Sequence, residues 1–180
     1  MNARRPSQML RSSTTPPDRR DALRWLGAAG VAAGILAASG GVALAAPDVS
    51  ERLLPTTQDV RADLAKAIAR GEPLIVLATL RGCPFCKVAR ENYLVGELKA
   101  GRAVTQIHFL SRDPVRDLRG NDTTHGQLVK ALNIDAAPTV LFFGRDGAEV
   151  AERLVGGSTS DFYGAYLDER IARARAAVAH

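Results

Sequence analysis

Cys83 and Cys86 are the only cysteines among the 180 residues, and they stand two residues apart in the stretch "LATLRGCPFCKVAREN". Thiols at that spacing support three chemistries: half of a metal site, a structural staple, or a disulfide that opens and closes. A tetrahedral metal site needs four ligands. The three histidines, His108, His125 and His180, fall at no finger-like spacing, and no Asp or Glu is marked out to complete a set. Covalent haem attachment requires a histidine directly after the second cysteine, where Lys87 stands. A staple across two residues closes so small a loop that it restricts little of the unfolded chain. Reversible redox chemistry is the favoured reading and a permanent, non-catalytic disulfide its alternative; the expectation is no metal and no cofactor beyond the cysteine pair.

The residues around the pair suit that chemistry. Pro84 fits the first turn of a helix, where its missing N–H has no helical partner to lose. Cys83 then lies where a strand ends and a helix begins, so its sulfur can face solvent and the unpaired N–H groups of the first turn, which favour a thiolate. Cys86, one turn on, can reach it. Arg81, Lys87 and Arg90 add positive charge, opposed locally by Glu91; solvation of a helix end is the alternative for Lys87 and Arg90. Phe85 points outward to shape a contact surface. Cys83 attacks a partner disulfide, a mixed disulfide forms, and Cys86 attacks the Cys83 sulfur to release the partner.

The elements that must position the pair are legible in the apolar periods. Val60, Leu64, Ala67 and Ile68 share one helical face, with Asp59 and Asp63 early and Gly71 at the end. "PLIVLATL", residues 73–80, has no alternation and reads as a buried central strand. A helix runs from Pro84 to about Ala100, with Val88, Tyr93 or Leu94, and Leu98 as core contacts. "AVTQIHFLS" is the next strand, with His108 packed in it. Residues 112–124 read as a loop without a core pattern. A helix follows over 125–132, with His125 expected at the surface. "APTVLFFGRDGAEVAERLVG" reads as a hairpin turning at Asp146-Gly147. Ser158 or Thr159 can cap a last helix that uses Phe162, Tyr166, Leu167 and Ile171. Residues 177–180, which include His180, read as a frayed tail.

Residues 1–45 read as a leader rather than as part of a fold. Six arginines in a Pro/Ser/Thr-containing stretch precede an uncharged Gly/Ala-rich run, and Ala43-Leu44-Ala45 supplies a small-x-small cleavage pattern. Arg19-Arg20 ahead of Leu23 resembles the twin-arginine export signal, with Ala22 in place of the usual Phe. The expectation is export to the periplasm, or otherwise out of the cytoplasm, and cleavage leaving 135 residues. An uncleaved anchor is the alternative, since Trp25 to Ala45 is 21 residues long. Residues 46–57 read as a tether or an N-terminal cap, and residues 58–176 as one domain. Six Arg and two Asp in the leader supply four of the five net positive charges, leaving 18 basic and 17 acidic residues. A nucleic-acid surface needs a concentrated basic field, so that class is excluded.

Helix, strand, pair, helix, strand, helix, hairpin, helix resembles the thioredoxin fold over about Asp59 to Ala174. "CPFC" stands at its active-site corner, "IDAAPTVLFF" at its proline strand and "GRDGAEVAERLVGG" at its closing hairpin and glycine. The resemblance implies an α/β fold with a four-stranded mixed sheet flanked by helices. It also implies a cis bond before Pro138, with Ala137 backbone groups presented to an extended partner segment. The implied activity is thiol:disulfide oxidoreduction on protein disulfides or dithiols of the cell envelope, served by an unidentified redox donor or acceptor, with reduction preferred to oxidation. Leu77 stands where the family has a buried acid and Gly82 where it has a tryptophan, so proton transfer at Cys86 must use water or another group. "CPFC" resembles the Pro-aromatic pair of glutaredoxins, without a glutathione site beyond the generic proline strand. The leader and the compact domain resemble exported relatives that accompany sulfur-oxidation or maturation systems. There is no room for the inserted helical domain of the large exported oxidases.

Overall fold

A strand that is apolar at every position needs cover on both faces, and residues 74–79 receive it from helices on either side. The computed structural model describes residues 49–157 and 162–179. Its elements run in chain order from a 3-10 turn (Val49–Arg52) through α1 (Val60–Ala69), β1 (Leu74–Thr79) and α2 (Pro84–Val88). A π-helical segment (Ala89–Leu94), α3 (Val95–Lys99), β2 (Ala103–His108), β3 (Pro114–Arg116) and β4 (Asp122–Thr124) follow. The chain then forms α4 (His125–Ala131), β5 (Thr139–Phe143), β6 (Leu154–Val155) and α5 (Tyr163–Ala179).

The main sheet has the order β2-β1-β5-β6, with β1 parallel to β2 and antiparallel to β5. It is the expected four-stranded mixed sheet. Side chains alternate across it. Leu74, Val76, Ala78, Leu141 and Phe143 share one core with Val60 and Leu64 of α1 and Leu128 and Val129 of α4. Ile75, Leu77, Val140 and Phe142 share the other with Leu94, Leu167 and Ile171. With both faces occupied, a one-residue slip of β1 would exchange every contact, which fixes the register that ends the strand at the cysteine turn. Asp59 caps α1 by accepting from the Ala62 N–H at 2.8 Å.

Several expectations are corrected. The helix after the cysteines covers residues 84–99 as expected but contains a π turn, and Val88, expected in the core, is exposed while Leu94 is fully buried. Residues 112–124 are not patternless: β3 and β4 pair as a hairpin whose Val115 is buried and whose Leu118 packs on the core. Three-residue strands are too short to show a period. In α5 the buried stripe is Tyr163, Leu167, Ile171, Ala174 and Val178, so Leu167 and Ile171 pack as expected, while Tyr166 and Phe162, just before the helix, are exposed. Residues 177–179 do not fray: the helix runs to Ala179, Val178 is buried, and its carbonyl accepts from Arg145 Nη2 at 2.7 Å.

Residues 49–57 form a cap, not a loose tether. Ser50, Leu54 and Thr57 are buried, the Gln106 N–H donates to the Pro55 carbonyl, and the Thr57 N–H donates back to the Gln106 carbonyl. The segment thereby extends the β2 edge. The leader, its cleavage pattern, His180 and the Ser158/Thr159 cap lie outside the described residues. Among the described residues no helix is long and apolar enough to cross a membrane.

Candidate active site

β1 delivers the chain into a tight turn in which the Cys83 N–H donates to the Leu80 carbonyl at 3.2 Å. Gly82 takes φ +73° there. A side chain would be strained in that left-handed conformation, which explains why this turn carries glycine before its first cysteine. Cys83 is the N-cap of α2, Pro84 follows at the first helical position, and the Cys83 sulfur accepts the Cys86 N–H at 3.3 Å. A backbone donor aimed at a sulfur stabilises negative charge on it.

The two thiols have different surroundings. Cys83 is half-buried and Cys86 is fully buried; neither is bridged. Burial pushes the Cys86 thiol up to about 11, the hydrogen bond with Cys83 adds to the rise, and the Leu80 N–H and the Thr79 hydroxyl oppose it. The Leu80 N–H donates to the Cys86 sulfur at 3.5 Å. Across the turn, the Cys83 thiol donates to the Ala137 carbonyl at 4.0 Å, and the Ala137–Pro138 bond is cis. Ala137 and Pro138 thus stand beside Cys83.

The expected cationic cluster divides. Arg81 is exposed and lies 3.9 Å from the Glu51 carboxylate of the cap, and Lys87 is 4.0 Å from Glu91. Exposed pairs of this kind contribute little. Arg90 is not at the surface at all: it is 1% exposed. Its Nε donates to Gln106 Oε1 at 3.1 Å, Nη1 to Ser50 Oγ at 3.0 Å and Nη2 to Thr79 Oγ1 at 2.8 Å. Phe85 points outward and, with Val88, Tyr93, Gly157 and Tyr163, lines an apolar groove of about 170 Å³ beside the pair.

The histidines do not gather with the cysteines, and among the described residues no group of three or more His, Cys, Asp or Glu could hold a metal. His125 is buried rather than at the surface, and its Nδ1 accepts the His108 N–H at 3.4 Å. Burial, then the charges of His125, Arg81 and Arg90, hold His108 down at about 4, and burial also lowers His125.

Sequence reasoning named Arg90 only as surface charge, and missed its burial along with Thr79, Gln106 and Tyr163. The first three had a signal: Cys86, Arg90 and Leu94 recur every four residues, which puts arginine on the face of a buried cysteine and a buried leucine. Thr79 and Gln106 are polar interruptions of strands that otherwise demand apolar residues. A buried polar group needs a partner, so the three point to one another. Tyr163 had one as well: it stands four residues before Leu167 and eight before Ile171, on the face they share.

A family model described as a thioredoxin-like domain matches residues 60–171. No curated protein matches the chain. Among solved structures the chain is similar to mitochondrial thioredoxin 3 from Saccharomyces cerevisiae in its oxidized form. That likeness has a TM-score of 0.44 at 16% identity, covering 68% of this chain and 97% of that one. It is also similar to Trxlp from Edwardsiella tarda, with a TM-score of 0.43 at 22% identity over 65% and 95% of the two chains. The reduced periplasmic thioredoxin SoxS from Paracoccus pantotrophus gives a TM-score of 0.38 at 20% identity over 57% and 99%.

Proposed function

The chain belongs to the thioredoxin-like domain family, and on that premise we propose that it is an exported thiol:disulfide oxidoreductase working through Cys83 and Cys86. One observation carries the reading: a half-exposed sulfur capping a helix, 3.3 Å from the N–H of a fully buried second cysteine. In this reading the Cys83 thiolate attacks a partner disulfide and displaces one partner sulfur. The Cys86 sulfur then attacks Cys83, the Cys83–partner bond breaks, and the second partner sulfur leaves with the proton that Cys86 gave up. Run backward, the same steps oxidise a partner dithiol. Ala137 and Pro138 offer backbone groups to an extended partner segment, in the manner of a short strand addition. Phe85 and the neighbouring groove take its apolar side chain.

The partners are protein disulfides or dithiols of the cell envelope, with reduction preferred as the direction, and the leader is removed after Ala45. Sequencing the N-terminus of protein recovered from the envelope tests the export step: it should begin at Ala46, and a native product beginning at Met1 in the cytoplasm would overturn it. Cys86→Ser should accumulate mixed disulfides through Cys83 on non-reducing gels, and Cys83→Ser should accumulate none. Accumulation only in Cys83→Ser would reverse the roles. The absence of trapping in both variants would favour a binding or scaffold protein with a permanent disulfide.

A further inference from the structure

Arg90 carries a charge for which its hydrogen-bond partners offer no counter-ion. Guanidinium stays protonated at every relevant pH. Its three acceptors, the Gln106 amide and the Ser50 and Thr79 hydroxyls, are all neutral, and no described carboxylate lies within ion-pair distance of it. A buried cation without a counter-ion is costly, and the cost falls when an anion forms beside it. The adjacent group able to become an anion is the Cys86 thiol, one helical turn away on the same face and, like Thr79, fully buried. Thr79 joins the two. Its oxygen accepts from Arg90 Nη2 at 2.8 Å, which leaves its own proton free for a neighbouring acceptor, and the Thr79 hydroxyl is among the groups that oppose the rise at Cys86.

We propose that Arg90, acting through the Thr79 hydroxyl, is the positioning residue that readies the Cys86 sulfur as the resolving thiolate. This rests on the exchange reading above and supplies what Leu77 cannot. Leu77 is an alkyl side chain in the core and takes no proton. Arg90 takes none either; it stabilises the anion after the proton has left. The charge acts when it is needed, because once Cys83 is bound to a partner its thiol no longer hydrogen-bonds Cys86 and one cause of the raised Cys86 value disappears. The net step is proton-neutral: Cys86 loses a proton and bonds to Cys83, the Cys83–partner bond breaks, and the departing sulfur takes a proton. The other titratable groups facing Cys86 are Cys83 from the turn and Tyr163 from α5, whose buried hydroxyl has no partner among the described residues.

An aromatic disulfide, 5,5′-dithiobis(2-nitrobenzoate), separates the steps. The reduced protein releases one thionitrobenzoate when Cys83 attacks and a second when Cys86 resolves, both read at 412 nm by stopped flow, so the first release is an internal control on the same trace. The pH midpoint of the second release should rise by about one unit in Arg90→Met and in Thr79→Val. A one-unit rise removes about tenfold of the thiolate at neutral pH and returns about threefold in nucleophilicity, so the ratio of second to first rate should fall about threefold. Arg90→Lys, which keeps the charge, should recover part of the shift. Thr79→Val leaves the other two Arg90 bonds in place and decides the matter alone if Arg90→Met does not fold. An unchanged second-release midpoint in folded Thr79→Val overturns the inference, whereas a wild-type protein with no second release overturns the exchange reading instead.

Discussion

Replacing Gln106 by leucine tests whether one side chain holds both the N-terminal cap and the buried guanidinium. Gln106 is fully buried in β2. Its Nε2 donates to the Glu51 and Leu54 carbonyls at 2.5 and 3.0 Å and to Thr56 Oγ1 at 3.2 Å, while Oε1 accepts from Arg90 Nε at 3.1 Å. Leucine has similar volume and supplies none of these bonds. Leaving the charged Arg90 donor short of an acceptor costs about 1.5–3 kcal/mol, and each of the two carbonyls adds about 1 kcal/mol. The additional apolar burial offsets about 1 kcal/mol. The expected net loss is about 3 kcal/mol, a large share of the roughly 5–15 kcal/mol that holds a domain of this size. Urea unfolding of the reduced protein, followed by far-ultraviolet circular dichroism, should show a midpoint lower by about 1.5 M at a slope of about 2 kcal/mol/M. Trypsin should also cut faster after Arg52 as the cap opens. A loss below about 1 kcal/mol with unchanged cleavage at Arg52 would refute the proposed clamp.

Two further predictions follow from buried titratable groups. Cys86 ionises near 9 when unfolded and near 11 when folded, so the folded protein retains a proton that the unfolded chain releases between those values. Stability of the reduced protein should therefore be fully present below pH 9 and fall by on the order of 2 kcal/mol toward pH 11; Cys86→Ser should flatten that fall, and an equally steep curve in the variant would contradict it. His108 has the opposite sign: it gains its proton near 6.5 unfolded and near 4 folded. Its contribution is present above pH 6.5 and is lost as pH falls toward 4. Denaturation midpoints measured across that window should decline less in His108→Leu, with the remaining slope following His125, and an unchanged slope would remove His108 from the account.

The layered fold was legible because its strands are long, apolar runs flanked by helical periods: residues 74–79 cannot be satisfied except between two helical layers, and Asp59, Gly71 and Gly101 punctuate the helices that supply them. The cysteine corner was legible too, since Pro84 after Cys83 marks a helix start. What escaped reading depends on rotation about a helix axis. Val88 was read inward and is exposed, while Arg90, on the face of Cys86 and Leu94, was read outward because it is charged. In the last helix Leu167 and Ile171 were placed inward, but Phe162 and Tyr166 were chosen over Tyr163, which shares their face. His125 was placed outside because a helix start is usually exposed, yet its ring is buried against His108 of β2, and the three-residue strands before it leave no period to read.

The most direct test of the account is the redox equilibrium of the folded pair. The purified protein is incubated in buffers of defined reduced and oxidised glutathione, quenched with acid, alkylated, and weighed by mass spectrometry. Cys83 and Cys86 should become protected together in one two-electron transition while the protein stays folded. The Cys86 N–H aimed at the Cys83 sulfur, with the guanidinium behind Cys86, favours the reduced pair. The midpoint should therefore lie above the roughly −270 mV of thioredoxin. A midpoint at or below that value would contradict the electrostatic reasoning, and a pair that can be reduced only by unfolding the protein would contradict the proposed exchange itself.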